Sequence, residues 1–247
     1  MKTYLDLFNL SCSAEFDKVN EGVDVEIIAN KYEKLTVAYV EPTLYIIYPQ
    51  TIGAFPSPGW DINLHFWKKG FKADNAKEAH PHFLDSAIQV HSGFLKEFLI
   101  NRDAVDQQIR IFRPSRIVVT GYSQGAAVAT LCFRDILDKQ RTGALPVVPV
   151  IGFGFASPRL YNLAGAHDFN EALRERKDCS FERILNWHDL VTRVGPWFFD
   201  FCHVTPNHRR VVGAPHGRKH WLFGSTGVMH EPQNYQKSLQ ALPQGVV

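Results

Sequence analysis

The segment that most constrains the fold of this chain is the heptapeptide at residues 121–127, which reads GYSQGAA. It follows an apolar run at residues 117–120 and precedes a long helical pattern. A G-x-S-x-G string between a strand and a helix is typical of a nucleophile elbow, a sharp turn that presents a serine hydroxyl at the tip of a strand. Gly121 and Gly125 are expected there, because a Cβ at either position would collide with the neighbouring strand or helix. The segment therefore predicts Ser123 as a nucleophile, and the alternative is an ordinary glycine-rich turn.

Strand and helix patterns alternate on both sides of this turn. Runs rich in β-branched and aromatic residues predict strands at residues 35–40, 43–48, 147–155 and 183–186. Apolar residues recur at helical spacing after residue 93 and after the elbow, and residues 233–242 are predicted to form a terminal helix. This alternation indicates an α/β domain with a single, largely parallel sheet and helices on both faces.

Length, charge and hydropathy narrow the class of protein. A chain of 247 residues fits one domain over residues 1–247, and a net charge of +2 gives no reason to expect a nucleic-acid partner. No apolar run approaches the roughly 20 residues that span a bilayer, so no transmembrane segment is predicted. The first ten residues include Asp6 and Asn9 and lack a continuous apolar stretch, so no signal peptide is visible. A cytoplasmic protein and a mature secreted form both remain open, and the oligomeric state is unknown.

The cysteines give no indication of a metal centre. Their spacing has no C-x-x-C element, and the four residues are Cys12, Cys132, Cys179 and Cys202. Cys132 falls on the apolar face of the helix after the elbow, which is typical of a buried free thiol. A disulfide is neither required nor excluded, and no metal or cofactor is predicted.

A nucleophilic serine needs a base, usually a histidine that is oriented by a carboxylate. In α/β-hydrolases these residues follow the serine in the order Asp or Glu, then His. Asp189 is the preferred acid because it comes directly after a predicted strand, and open α/β sheets place their sites at the C-terminal ends of strands. The rival is Asp200, which lies in an aromatic run, and the structural alternative for Asp189 is a helix N-cap.

The base is predicted to be His230, which lies in a loop just before the terminal helix. His188 adjoins the acid and would point elsewhere, and His203 lies in a strand-like stretch where a structural role is expected. The remaining candidates, His208, His216 and His220, belong to a basic segment at residues 208–220. That segment is interpreted as a solvated hairpin or loop, with an anionic interface as the alternative.

Five further motifs resemble the class 3 lipase family of α/β-hydrolases, and together they extend over most of the chain. They are a V-H-x-G-F segment at residues 90–94, a G-S-P-R-x-G-N-like strand end at residues 152–162, the acid-bearing stretch at residues 186–194, the H-V pair at His203, and an H-x-x-x-x-Y signature from His230 to Tyr235. The resemblance implies an α/β-hydrolase fold, and it assigns Asp189 as the catalytic acid and His230 as the catalytic base.

Two segments depart from the family pattern. The family elbow is usually G-H-S-L-G-G, whereas this chain carries the cutinase-like sequence G-Y-S-Q-G at residues 121–125. The family also has an R-G-T or R-G-S triplet at the oxyanion loop, and the equivalent here is Pro49-Gln-Thr51. Thr51 retains a backbone N–H and a hydroxyl. The oxyanion is therefore expected to bind the backbone N–H groups of Gln124 and Thr51 and the Thr51 hydroxyl.

Two aromatic clusters are candidates for substrate contact. Residues 52–80 are interpreted as a lid, and they contain Trp60, Phe66 and Trp67, although the period-two alternation at residues 60–66 resembles a strand while the family lid is helical. Trp197 and Phe198 follow the acid and are expected to line an acyl pocket. Core packing is the alternative for both clusters.

The combined hypothesis is a serine hydrolase that cleaves carboxylic ester bonds of lipids, as a triacylglycerol lipase or carboxylesterase, through an acyl-enzyme. Its expected partners are a lipid or small ester and, transiently, a lipid–water interface. Three alternatives remain open. They are a phospholipase A1 or cutinase-like esterase, an acyltransferase in which an alcohol replaces water, and a catalytically silent hydrolase-fold protein that binds a lipid or another partner.

Overall fold

The computed structural model describes residues 3–12, 24–29, 34–49, 87–187, 189, 191–193, 201–205, 208–212 and 230–242. Within these residues one sheet contains seven strands in sequential order. The strands are β1 (Asp24–Ala29), β2 (Lys34–Val40), β3 (Thr43–Tyr48), β4 (Arg116–Tyr122), β5 (Val150–Phe155), β6 (Ser180–Asn186) and β7 (Arg209–Val212). The helices are α1 (Tyr4–Cys12), α2 (Ser92–Phe112), α3 (Gln124–Arg141), α4 (Leu163–Glu175) and α5 (Pro232–Gln240), and Val191–Arg193 forms a 3-10 turn.

The sheet is largely parallel, as the sequence predicted. The strand pairs β1–β2 and β2–β3 are antiparallel, and every following pair from β3–β4 to β6–β7 is parallel. Helices cover both faces. The side chain of Val119 joins a core that includes residues of α2, α3 and α4, whereas that of Val118 joins a second core formed with α1 and α5. This arrangement brings the C-terminal ends of β4, β5 and β6 to one edge of the sheet.

Three local predictions differ from the structure. The strand predicted at residues 147–155 begins at Val150, because Val147 is exposed and pairing with β4 starts at Ile117↔Val150. The strand predicted at residues 183–186 extends back to Ser180. The basic segment was predicted as a solvated hairpin or loop, but its residues Arg209–Val212 form the parallel edge strand β7, because β6 offers unpaired backbone groups along that side.

Other predictions are confirmed or fall outside the described residues. The two adjoining strands and the helices after residue 93 and after the elbow are confirmed, and the terminal helix runs over Pro232–Gln240. Within the described residues, no helix is long and apolar enough to cross a bilayer. The predicted lid at residues 52–80 lies outside them, and a single domain over residues 1–247 remains a prediction.

Candidate active site

The elbow is a strained turn between β4 and α3. Ser123 has φ 57° and ψ −122°, a backbone conformation that is uncommon for a residue with a Cβ. Its amide donates to the carbonyl of Phe155 at 2.8 Å, which ties the turn to the end of β5. A Cβ on Gly125 would lie 2.2 Å from the Pro49 carbonyl oxygen, and one on Gly121 would lie 2.4 Å from the Gly125 carbonyl oxygen. The requirement for glycine at both positions is therefore confirmed.

The three side chains that the sequence selected lie in one hydrogen-bonded row. Ser123 Oγ is 2.7 Å from Nε2 of His230, and Nδ1 of His230 is 3.0 Å from Oδ2 of Asp189. The Asp189 side chain is fully buried, and the imidazole is 13% exposed. A proton on the serine thus faces one ring nitrogen, while the carboxylate orients the other. This is the arrangement that activates a serine hydroxyl.

Asp189 uses its two carboxylate oxygens for different purposes. Oδ1 accepts from the Val191 amide at 2.9 Å and starts the 3-10 turn, while the Thr192 hydroxyl donates to the Asp189 carbonyl at 2.7 Å. Oδ2 faces His230. The capping interpretation and the triad hypothesis are therefore compatible, because each involves a different oxygen of the same side chain.

Tyr235, the last residue of the H-x-x-x-x-Y signature, bonds to the carboxylate of Asp189. Its hydroxyl donates to Asp189 Oδ2 at 2.6 Å and accepts from the Asn186 amide at 2.9 Å. Burial, together with the neighbouring Asp189 charge, raises the pKa of Tyr235 well above its ordinary value. The phenol consequently stays protonated and keeps donating to the carboxylate. Tyr235 was treated in the sequence analysis only as part of a motif, and its bond to Asp189 was not predicted. Its position five residues after His230 was the one feature of the sequence that pointed to the site.

Tyr122, the residue before Ser123, contacts His230 directly. Its hydroxyl donates to the backbone carbonyl oxygen of His230, and the two rings stack with centroids 5.4 Å apart and planes 17° apart. The ring also meets Tyr235 and Phe8 edge to face, at 5.7 Å and 5.3 Å. Burial raises the pKa of the Tyr122 phenol. Sequence reasoning missed this contact, because the two residues are 108 positions apart.

Gln124 begins α3 with a buried side chain. Its amide nitrogen donates to Glu97 Oε2 at 2.6 Å, and both residues are almost fully buried, with 1% and 3% of their surface exposed. The amide of Gln124 is thus bound to a carboxylate of α2. The backbone N–H of Gln124 lies in the first turn of α3, where the helix dipole favours negative charge.

Two further histidines have structural partners. Nε2 of His203 lies 2.7 Å from the Thr192 carbonyl oxygen, and burial, with Arg183 nearby, lowers the pKa of His203 well below its ordinary value. His203 stands beside an isolated bridge at Cys202 and not in a strand. His91 caps α2, because its Nδ1 accepts from the Gly93 amide at 3.2 Å. The buried, neutral imidazole of His203 fits the structural role that was expected for it from the sequence.

The remaining predicted site residues lie outside the described part of the chain. They are Thr51 of the oxyanion loop, the aromatic residues Trp60, Phe66, Trp67, Trp197 and Phe198, and the rival candidates His188, Asp200, His216 and His220. Among the described residues no group of three or more His, Cys, Asp or Glu side chains could hold a metal ion, and the four cysteines are free thiols.

Comparisons with known proteins agree on one family. A family model described as Lipase (class 3) matches residues 62–199, more than half of the 247-residue chain. The secreted mono- and diacylglycerol lipase LIP4 from Malassezia restricta is 30% identical over 154 residues, which are 61% of this chain and 47% of that protein. The chloroplastic phospholipase A(1) DAD1 from Arabidopsis thaliana is 35% identical over 120 residues, 44% of this chain and 25% of that protein. The chain thus spans half or less of the length of these curated relatives.

Solved structures show the same architecture. The triacylglyceride lipase from Rhizomucor miehei superposes with a TM-score of 0.56 at 20% identity, covering 81% of this chain and 76% of that one. Lipase II from Rhizopus niveus gives a TM-score of 0.55 at 19% identity, covering 79% and 69%. At these identities the likeness concerns the fold, and it confirms the predicted α/β-hydrolase fold.

Proposed function

Because this chain belongs to the class 3 lipase family, we propose that it is a serine hydrolase that cleaves carboxylic ester bonds of lipids. The observation that carries the proposal is the row from Ser123 Oγ through His230 to Asp189, with contacts of 2.7 Å and 3.0 Å, at a strained elbow. A carbonyl carbon placed beside Ser123 Oγ would meet a hydroxyl whose proton already faces a base.

The proposed reaction has two halves. Ser123 Oγ attacks the ester carbonyl while its proton passes to Nε2 of His230, and Asp189 stabilises the resulting imidazolium through Nδ1. The tetrahedral intermediate collapses as His230 returns that proton to the leaving alcohol, which leaves an acyl-serine. Water then attacks the acyl-enzyme with His230 as general base. The acid departs, the proton returns to Ser123, and no cofactor is needed.

The proposed oxyanion site uses the start of α3. The backbone N–H of Gln124 belongs to the first turn, so the hydrogen-bond donor and the helix dipole act together on a developing negative charge. From the sequence we propose the Thr51 N–H and hydroxyl as the other donors. Losing one such donor typically lowers kcat about 100- to 1000-fold.

The proposed substrate is a lipid ester with an apolar acyl chain. The names of the curated relatives point to mono- and diacylglycerols and to phospholipids, so both headgroup classes are candidates. Neutral acylglycerol is the first choice, with phospholipase A1 activity as the second. Trp60, Phe66, Trp67, Trp197 and Phe198 are proposed from the sequence as acyl or lid contacts.

The first test uses Ser123→Ala with Ser238→Ala as its matched control, because Ser238 lies on α5 and bonds the Asn234 carbonyl oxygen. Initial rates on p-nitrophenyl esters should fall at least about 1000-fold for Ser123→Ala and stay unchanged for Ser238→Ala. A fluorophosphonate probe should label the control but not Ser123→Ala. Retained hydrolysis by a folded Ser123→Ala protein would remove the proposal.

The second test separates the substrate classes. Monoacylglycerol, diacylglycerol, emulsified triacylglycerol and phosphatidylcholine vesicles are supplied to the same enzyme, and released fatty acid is measured. Added alcohol shows whether acyl transfer competes with hydrolysis. Labelling by the probe without turnover of any ester would favour a silent lipid-binding protein.

A further inference from the structure

We propose that Tyr122 is a positioning residue, which fixes His230 through its hydroxyl and favours the imidazolium through its ring. The inference rests on the proposed function, since it concerns the same histidine. It also gives a physical role to one of the residues at which the elbow departs from the family pattern of G-H-S-L-G-G.

The dipeptide at the elbow contacts His230 at two separate points. Ser123 meets the imidazole at Nε2, while the Tyr122 hydroxyl donates to the backbone carbonyl oxygen of the same residue. Ser123 and Tyr122 are neighbours in the chain, so the distance between the two points is set by the elbow itself. Consequently, the backbone of His230 cannot shift relative to the nucleophile without breaking a hydrogen bond.

The second contribution comes from the Tyr122 ring. It lies nearly parallel to the imidazole, with planes 17° apart and centroids separated by 5.4 Å. The face of an aromatic ring carries partial negative charge and attracts a cation within about 6 Å. In the proposed reaction His230 becomes a cation as it takes the serine proton, so this attraction grows as the reaction proceeds.

The Tyr122 ring is itself held in place. Tyr122 is 1% exposed, and Phe8 and Tyr235 meet it edge to face from α1 and α5. Burial raises the pKa of its phenol, so the hydroxyl remains a donor at any working pH. A rigid, neutral and buried phenol is suited to positioning, because reacting groups displaced by about 1 Å can lose a hundredfold in rate.

The test compares Tyr122→Phe, which removes the hydroxyl and keeps the ring, with Tyr122→Leu, which removes both. Tyr161→Phe is the matched control, since Tyr161 is a fully buried tyrosine in the core on the other face of the sheet. We expect kcat to fall about tenfold in Tyr122→Phe and about a further tenfold in Tyr122→Leu, with KM unchanged. The rate of fluorophosphonate labelling should fall in parallel, and Tyr161→Phe should alter neither rate.

Two outcomes would contradict the proposal. One is wild-type kcat per labelled active site in Tyr122→Phe alongside a lowered Tm, which would make the residue merely structural. The other is a rise in KM with kcat unchanged, which would make it a substrate contact. Tyr122→Phe keeps the aromatic packing, so the test stands even if Tyr122→Leu fails to fold. Failure of the proposed function would appear separately, as activity in Ser123→Ala.

Discussion

The two faces of the sheet hold the candidate site by different means. On one side α1 and α5 form the aromatic face, where Phe8 stacks on Tyr235 at 5.8 Å and meets Tyr122 edge to face. On the other side α2, α3 and α4 form the ionic face, where Lys139 lies 2.5 Å from Asp106 and 2.7 Å from Asp135. These charged side chains are at most 10% exposed.

The two faces differ because they hold different residues of the candidate site in place. Ser123 is fixed by its own backbone, by the close approach of Gly125 to β3 and by the long helices of the ionic face. Asp189 and His230 come from connecting segments. The Tyr235 phenol donates to the Asp189 carboxylate, and the Tyr122 phenol donates to the backbone carbonyl oxygen of His230. The proposed nucleophile thus depends on local backbone geometry, whereas the proposed acid and base depend on contacts with side chains from distant segments.

The largest effect is expected for Gly125→Ala, which acts on the backbone of the elbow. The new Cβ would lie 2.2 Å from the Pro49 carbonyl oxygen and 2.4 Å from that of Tyr48, so β3 or α3 must move. We expect a loss of more than about 4 kcal/mol in the free energy of unfolding, measured by urea denaturation. Gly154→Ala is the control, because its Cβ would make ordinary contacts at 3.5 Å or more. Equal stability of the two variants would contradict this account of the elbow.

Lys139→Met tests the ionic face. It removes the lysine from Asp106 and Asp135, of which Asp135 keeps a second cation, Arg102, at 3.2 Å. Removing one partner of a buried pair typically costs about 3–5 kcal/mol. In Arg174→Gln, the pair lost with Glu171 is largely exposed, so the change should stay within about 1 kcal/mol. If the ionic face does not hold Asp189 or His230 in place, Lys139→Met should keep its kcat per labelled active site at temperatures where it is folded. A drop in that value would show that the ionic face also positions the acid or base.

His91 should make the ionic face sensitive to acid. Burial lowers its pKa to about 4 from the ordinary value of 6.5, so the unfolded chain binds this proton more readily between those values. The stability that His91 contributes is complete above about pH 6.5 and is lost as the pH falls towards 4, a total of about 3 kcal/mol. His91→Asn keeps an acceptor for Gly93 but cannot titrate. The difference in unfolding free energy between wild type and variant should therefore shrink by about that amount from pH 7 to pH 4, and a constant difference would refute the assignment.

The smallest loss of free energy is expected for Tyr235→Phe on the aromatic face, although its effect on rate should be large. It removes the phenol that donates to Asp189 at 2.6 Å, an interaction with a charged group worth about 2 kcal/mol. If that energy is lost in the transition state, kcat falls about 30-fold with KM unchanged. Tyr161→Phe again serves as the control. Unchanged kcat in Tyr235→Phe would show that Asp189 is oriented sufficiently by the amide of Val191.

The sequence predicted the parts of the site that depend on local patterns. The elbow could be recognised because strand, turn and helix are contiguous, and Asp189 because it follows a strand. The order along the chain that is typical of α/β-hydrolases, serine, then acid, then histidine, then selected His230. The strand β7 was missed because its first two residues are exposed arginines, so its pattern reads as polar. The helix α4 carried a signal, since Asn162 caps it and Ala166 and Phe169 are buried at helical spacing.

The contacts that hold the acid and base could not be predicted in the same way. Phe8, Tyr122 and Tyr235 come from three remote segments, and no periodicity in any one of them shows which rings meet. The helix α1 has apolar residues that are ordinary for a core, so its position behind the triad appears only in the fold. The hydrogen bond of the Gln124 side chain could not be predicted either, because its partner Glu97 lies on another helix.

The contact between α1 and α5 has a consequence for the order in which the molecule is assembled. Asn9 accepts from the side chain of Gln236, 227 residues later, next to the stacked rings of Phe8 and Tyr235. A growing chain on the ribosome can form the elbow and the strands up to β6 while α1 still lacks its partner. His230 and the Tyr235 phenol beside Asp189 take their places together with this contact. Under the proposed mechanism, Ser123 therefore gains its base only when α5 packs against α1, and a chain in which this contact has not formed holds a serine that His230 cannot activate.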